Sequence, residues 1–162
     1  MKVVCNASPI VSLARIDALE LLHHAFGQIV IPQAVWNEVV VCGSGQPGAE
    51  AVKTAQWITR HSPQNASLVS ALRQDLDAGE AEAIVLALEM PADLLLMDER
   101  LGRETARHLG IRMTGLVGVL VESKRRGIIP AVSPILQSLR ERAGFRLSDA
   151  LYRRILQDVH ES

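Results

Sequence analysis

Short apolar runs alternate along this chain with stretches of helical period, and that alternation limits the fold more than any other feature. Lys2–Cys5 is apolar and stops at Asn-Ala-Ser-Pro; Gln28–Ile31, Ile58–His61, Leu94–Met97 and Arg112–Thr114 read as further strands. Between them the spacing predicts helices over Ile10–His24 (broken near Asp17), from Pro32 through Val41, and over Ala49–Trp57, Ser67–Leu76 and Gly79–Met90. Pro91 stops the last of these, and Gly110 has the position of a C-cap for a helix over Arg100–Leu109. Three more helices, Leu116–Arg126, Ser133–Arg142 and Ser148–His160, follow without strands. Strand–helix alternation of this kind predicts an α/β domain with a small, mainly parallel sheet. Residues 1–115 would be its core and 116–162 a helical extension packed on it.

A chain of 162 residues suits one domain of 1–162 with a substantial core. Its 48% hydrophobic content excludes a disordered chain. A net charge of −1 speaks against a polybasic nucleic-acid binder, but the average conceals a division. Residues 1–99 hold 5 Lys/Arg against 12 Asp/Glu, whereas residues 100–162 hold 12 against 6. Cys5 and Cys42, each in an apolar run, read as two buried reduced thiols of a cytoplasmic protein. Lys2 ahead of an apolar stretch hints at a signal peptide, but Asn6, Ser8 and Pro9 interrupt that stretch. No apolar run approaches the ~18 residues of a membrane span, so no membrane association is expected.

The chemistry lies in carboxylates set among apolar groups. In LDAGEAEAIVLALEM, Glu80 shares a helix face with Ala83, Ile84 and Ala87, while Glu82 and Glu89 point the other way, toward solvent. Glu80 is either a functional carboxylate or the returning arm of a capping box begun by Asp77. Glu38, with Ala34, Val35, Val41 and Cys42 around it, is either a second such carboxylate or an edge residue reaching outward. Asp98, with Glu99, ends a strand and can also cap the helix that follows; Ser8 is either a turn or N-cap residue, with Pro9 opening a helix. In parallel sheets ligands gather at the carboxyl ends of strands, where Asn6, Ser8, Asp98 and Glu99 fall.

Carboxylates converging there would bind a hard cation, Mg²⁺ or Mn²⁺, since no Cys/His spacing suits zinc. Such a cluster suggests phosphodiester chemistry. Arg100, Arg103 and Arg107 at i, i+3 and i+7 form a candidate nucleic-acid-binding stripe beside Asp98, which Lys124-Arg125-Arg126 would extend. The sequence GSGQPG at 43–48 spells a dinucleotide fingerprint, but it follows a helix rather than a strand, and Pro47 spoils the turn.

The segments VVCNASPIVSLARI, IPQAVWNEVV, LDAGEAEAIVLAL and ADLLLMDERLGRETARHLGI, in that order, resemble the PIN (PilT N-terminal) domain family. More closely they resemble its prokaryotic subfamily of proteins described as nucleic-acid binding, and TGLVGVLVESKRRGIIP and GFRLSDALYRRIL extend the likeness over nearly the whole chain. The resemblance implies a three-layer α/β/α fold and a metal-dependent endoribonuclease acting on single-stranded RNA. It further implies a homodimer and, in many relatives, the toxin of a toxin–antitoxin pair with a small antitoxin as partner. By position the family's acidic sites fall on Asn6, Glu38, Glu80 and Asp98, with Glu99 beside the last and Ser8, a candidate nucleic-acid-binding residue like the arginines, after the first. Catalysis would then rest on Glu38, Glu80 and Asp98. Asn6 departs from the family, which usually has Asp there; its amide oxygen can still ligate a metal but brings no charge. The alternative is a PIN domain that binds RNA or a protein without cleaving.

Overall fold

Side chains that alternate along each strand decide how the layers form. In the computed structural model, which describes residues 1–161, Val3 and Cys5 point to one face of the sheet and Val4 to the other, all three buried. Strand β1 (Val3–Cys5) pairs in parallel with β2 (Ile29–Pro32) and with β4 (Leu94–Leu96). β3 (Ile58–His61) and β5 (Met113–Thr114) complete a five-stranded sheet of order β3-β2-β1-β4-β5, parallel throughout. All five strands expected from the sequence are present.

One face packs against helices α1 (Ala7–Arg15) and α2 (Glu20–Phe26) and the C-terminal α8 (Leu116–Arg125), α9 (Ser133–Arg142) and α10 (Asp149–Asp158). Ile10, Leu13, Leu22, Leu120 and Leu136 are fully buried there, so the C-terminal helices share a core with β1 rather than standing apart. Burying one such side chain contributes roughly 1.5–3 kcal/mol. The other face packs against α6 (Ala78–Glu89) and α7 (Arg100–His108), through Ile84, Leu95, Met97 and Ala106. Three α/β/α layers result. The short helices α3 (Gln33–Trp36), α4 (Ala49–Thr54) and α5 (Ala66–Leu72) lie along the connections.

Several local expectations change. α1 begins at Ala7, three residues before Ile10, because Pro9 fits its first turn; Asn6 is the N-cap and Ser8 already lies inside the helix. Pro32 ends β2 instead of opening a helix, and α3 runs into a π-helical turn over Asn37–Val41, closed by the Cys42 N–H donating to Asn37 O at 2.8 Å. Cys42 is exposed at the end of that turn; Cys5 is buried. Glu82 is half-buried rather than solvated, since its carboxylate accepts from the Ala34 N–H at 3.0 Å and satisfies a first-turn donor of α3. Glu89 is exposed but accepts from the Gln64 and Asn65 N–H groups.

Candidate active site

Strand order reverses at β1, whose neighbours lead outward to β2 on one side and β4 on the other. Connections diverge at such a point and leave a crevice at the strands' carboxyl ends. Asn6 leaves β1 there, held by its backbone N–H donating to Leu96 O at 3.0 Å. Its side chain is 4% exposed and makes no hydrogen bond among the described residues. α6 starts so close beside it that a methyl group on Gly79 would stand 3.2 Å from Asn6 Oδ1.

A cavity of about 260 Å³ opens at this crevice, lined by Asn6, Ser8 and Ser12, Arg15, Glu38, Asp77 and Glu99. Four sequence-predicted site residues, Asn6, Ser8, Glu38 and Glu99, thus meet in one place. Ser8 Oγ donates to Glu99 Oε1 at 3.4 Å, joining the start of α1 to the end of β4. Glu38 reaches the cavity from the π-helical turn, and burial together with the nearby Asp77 charge raises its carboxyl above the ordinary range.

Glu80 stands behind this wall, only 8% exposed. Its backbone N–H donates to Asp77 Oδ1 at 2.8 Å, so Asp77 caps α6. Burial, a side-chain hydrogen bond with Asp77 and the charges of Asp77 and Glu99 push the Glu80 carboxyl up to about 7. Asp77 thus makes its half of the expected capping box, while the Glu80 carboxylate faces the acidic group.

Asp98 is differently placed. Its Oδ1 accepts from the Leu116 N–H at 2.9 Å, capping α8, while Oδ2 is buried with no partner among the described residues. A side chain at Gly115 would collide with this arrangement, standing 2.5 Å from Asp98 Oδ1 and 3.0 Å from Arg103 Nη1. Burial raises the Asp98 carboxyl, although the Leu116 bond and the Arg103 charge pull against it. Arg103 is half-buried beside Asp98, whereas Arg100 is exposed and paired with Glu104 at 3.2 Å, and Arg107 is exposed. The expected stripe is split: Arg103 faces inward, and none of the three lines the cavity. Nor do Lys124, Arg125 and Arg126 extend it. They bond Val159 O and Glu161, Glu122, and Ala25 O respectively.

Asp77, Ser12 and Arg15 are site residues that the sequence reading missed. Asp77 was hidden by its capping position; Ser12 and Arg15 follow Ser8 at i+4 and i+7 on α1, a spacing that would have revealed them.

No three His, Cys, Asp or Glu side chains among the described residues converge closely enough to enclose an ion. The donor chemistry nevertheless fits a hard divalent cation that keeps part of its water shell. All candidate donors are oxygens, and the Asn6 amide and Asp98 Oδ2 lack partners. Burial first, then Asp77 and Glu99, hold Glu80 at about 7, and a cation would offset the share that comes from the like charges.

A family model described as PIN domain matches residues 2–161. Among solved structures, a PilT N-terminus domain protein from the hyperthermophilic archaeon Sulfolobus solfataricus P2 is similar, with a TM-score of 0.53 and 20% identity. The match covers 76% of this chain and 93% of that one, a likeness of fold. No curated protein matches at a significant level. No helix among the described residues is long and apolar enough to cross a membrane.

Proposed function

This chain belongs to the PIN domain family, whose members are generally nucleases, and from that premise we propose a divalent-metal-dependent endoribonuclease acting on single-stranded RNA. The observation that carries the reading is the meeting of Asn6, Glu38, Asp77 and Glu99 in one cavity where the strand order reverses. Mg²⁺ or Mn²⁺, when bound, supplies an activated water and stabilises the leaving oxygen. Asn6, Glu38, Glu80 and Glu99 would hold it, with Asp77 beside them; Asp98, next to Glu99 in the chain but outside the cavity lining, would add its charge from behind.

The chain's own groups do the rest. Ser8 orients Glu99 through its hydroxyl. Asp77 fixes the first turn of α6 and with it the Glu80 carboxyl. Glu80, whose carboxyl stands at about 7 without a cation, would ionise as the metal binds and add its charge to the donor set. Asp98 ties the end of β4 to α8. Purified protein should cleave single-stranded RNA with Mn²⁺ or Mg²⁺, and Asp98→Asn should abolish cleavage while keeping the oxygen that accepts from Leu116. Undiminished cleavage by that variant would refute the assignment of Asp98.

A second reading, a PIN domain that binds RNA or a protein without cleaving, is favoured by Asn6 and by the spread of the carboxylates. If Asn6→Asp creates cleavage that the natural protein lacks, the natural protein is a binding module. Comparable cleavage by both makes Asn6 a working ligand. A toxin role belongs to the first reading only; growth arrest on expression, relieved by a small antitoxin encoded beside it, is its test.

A further inference from the structure

The cavity has two unlike walls. Glu38, Asp77 and Glu99 form one, and α1 forms the other with Ser8, Ser12 and Arg15. At 100° per residue these three lie within about 60° of one another, a single polar stripe in which Ser8 is engaged with Glu99 while Ser12 and Arg15 keep donors for the cavity. The stripe does not end at the cavity. A neighbouring hollow of about 170 Å³ shares Val11, Arg15 and Glu38 with it and continues to Gly43, Gln46 and Pro47. Arg15 is the one Lys, Arg or His side chain lining either space.

Resting on the ribonuclease reading, we propose that Ser12 and Arg15, next to Ser8 on the same face of α1, form a phosphodiester-binding wall, with Arg15 contacting a backbone phosphate of the bound RNA. A polyanion entering beside three carboxylates needs positive charge along its path, and a bound cation covers only the acidic wall. Arg15 is set for the other wall. One guanidinium N–H donates to Ala143 O at 3.3 Å, and no carboxylate pairs with Arg15 among the described residues. The remaining donors of its planar fork match phosphate oxygens. The last residue of α9 braces the backbone around it, since Arg142 Nη2 donates to Arg15 O and to Asp17 Oδ2, each at 3.3 Å. The C-terminal helices thereby orient a substrate contact on the first helix. By contrast Arg100 is spent on Glu104, and Arg103 faces Asp98.

The test is the salt dependence of binding, because a lost phosphate contact changes its slope and a merely structural defect does not. A fluorescent single-stranded oligoribonucleotide is titrated across a salt series with Ca²⁺ in place of Mg²⁺, with cleavage followed separately on gels. Arg15→Gln should weaken binding about tenfold and make the slope of log K against log salt shallower by about 0.7, the value for one phosphate of a single strand. Arg15→Lys should keep the slope. Arg153→Gln, at an exposed position of α10, should change neither quantity. An unchanged slope in Arg15→Gln, or an equal change in Arg153→Gln, overturns the inference and leaves the ribonuclease reading standing. If the natural protein neither binds nor cleaves RNA, both fall together.

Discussion

Glu80 offers a prediction whose size follows from its surroundings. Its carboxyl is held at about 7 against an ordinary 4.5, first by burial and then by Asp77 and Glu99. Between these two values the folded chain binds more protons than the unfolded chain, so metal-free stability should fall as pH rises from 4.5 and level off above about 7. Each pKa unit is worth ~1.4 kcal/mol. The full effect would be roughly 3 kcal/mol, and solvent reaching Asp77 and Glu99 at the cavity mouth reduces it to about 1–2 kcal/mol. Glu80→Gln keeps the shape and removes the titration. Urea unfolding of both proteins in EDTA, at a series of pH values, gives the stability difference with m checked for constancy. The variant should gain about 1–2 kcal/mol on the natural protein between pH 5 and pH 8. Excess Mn²⁺ should shrink that gain, because a cation stabilises the ionised form. A stability difference that does not change with pH refutes the argument that the folded state strains this carboxylate.

Asn6→Asp places a further charge in a nearly closed position beside the same acids, so the metal-free protein should lose roughly 1–3 kcal/mol, recovered by Mn²⁺ in thermal melts. Gly102→Ala sets a methyl group against the fully buried Met97 sulfur and 3.3 Å from Glu80 Oε2. Overpacking costs about 1–3 kcal/mol and outweighs the ~1 kcal/mol that alanine gains in a helix. A lower urea midpoint is expected, and a higher one would show that Met97 can yield. Glu161 accepts from Lys124 Nζ and from the Val132 and Ser133 N–H groups, bonds that overcome burial and hold its carboxyl below the ordinary range. Glu161→Ala should cost about 1–3 kcal/mol in urea unfolding and loosen hydrogen exchange at the start of α9.

Strands β1, β2 and β4 were legible because each is a short apolar run bounded by turn residues, whereas β3, Ile-Thr-Arg-His, buries only its first residue. Their order was not, since it depends on pairings such as Val3 with Leu94 that no local pattern records. The start of α1 was missed for a local reason: proline breaks a helix interior but suits a first turn, and Pro9 sits in one. Helical spacing showed that Glu80 faces the core while Glu82 does not, yet Glu82 finds the open N–H of Ala34 on another element. Asp98 illustrates the same limit. Whether a strand-end carboxylate turns to a crevice or to a helix depends on Leu116, and the close approach needs a glycine at 115.

Charge carries this argument furthest. The division into an acidic first part and an arginine-rich second part suggested a negative pocket beside a positive track supplied by the later residues. The acidic wall does come from the first part, through Glu38, Asp77 and Glu99. Four of the twelve later cations hold the C-terminal helices in place: Lys124 on Glu161, Arg126 on Ala25 O, Arg140 on Asp149 and Arg142 on Asp17. The cation that faces the cavity, Arg15, belongs to the acidic part, and Arg142 and Ala143 from the basic part hold it there. A basic segment can thus serve an acidic site without touching its ligand, by fixing the one arginine that does. Arg142→Ala should accordingly weaken RNA binding by disordering Arg15 while leaving the salt slope nearer the natural value than Arg15→Gln does.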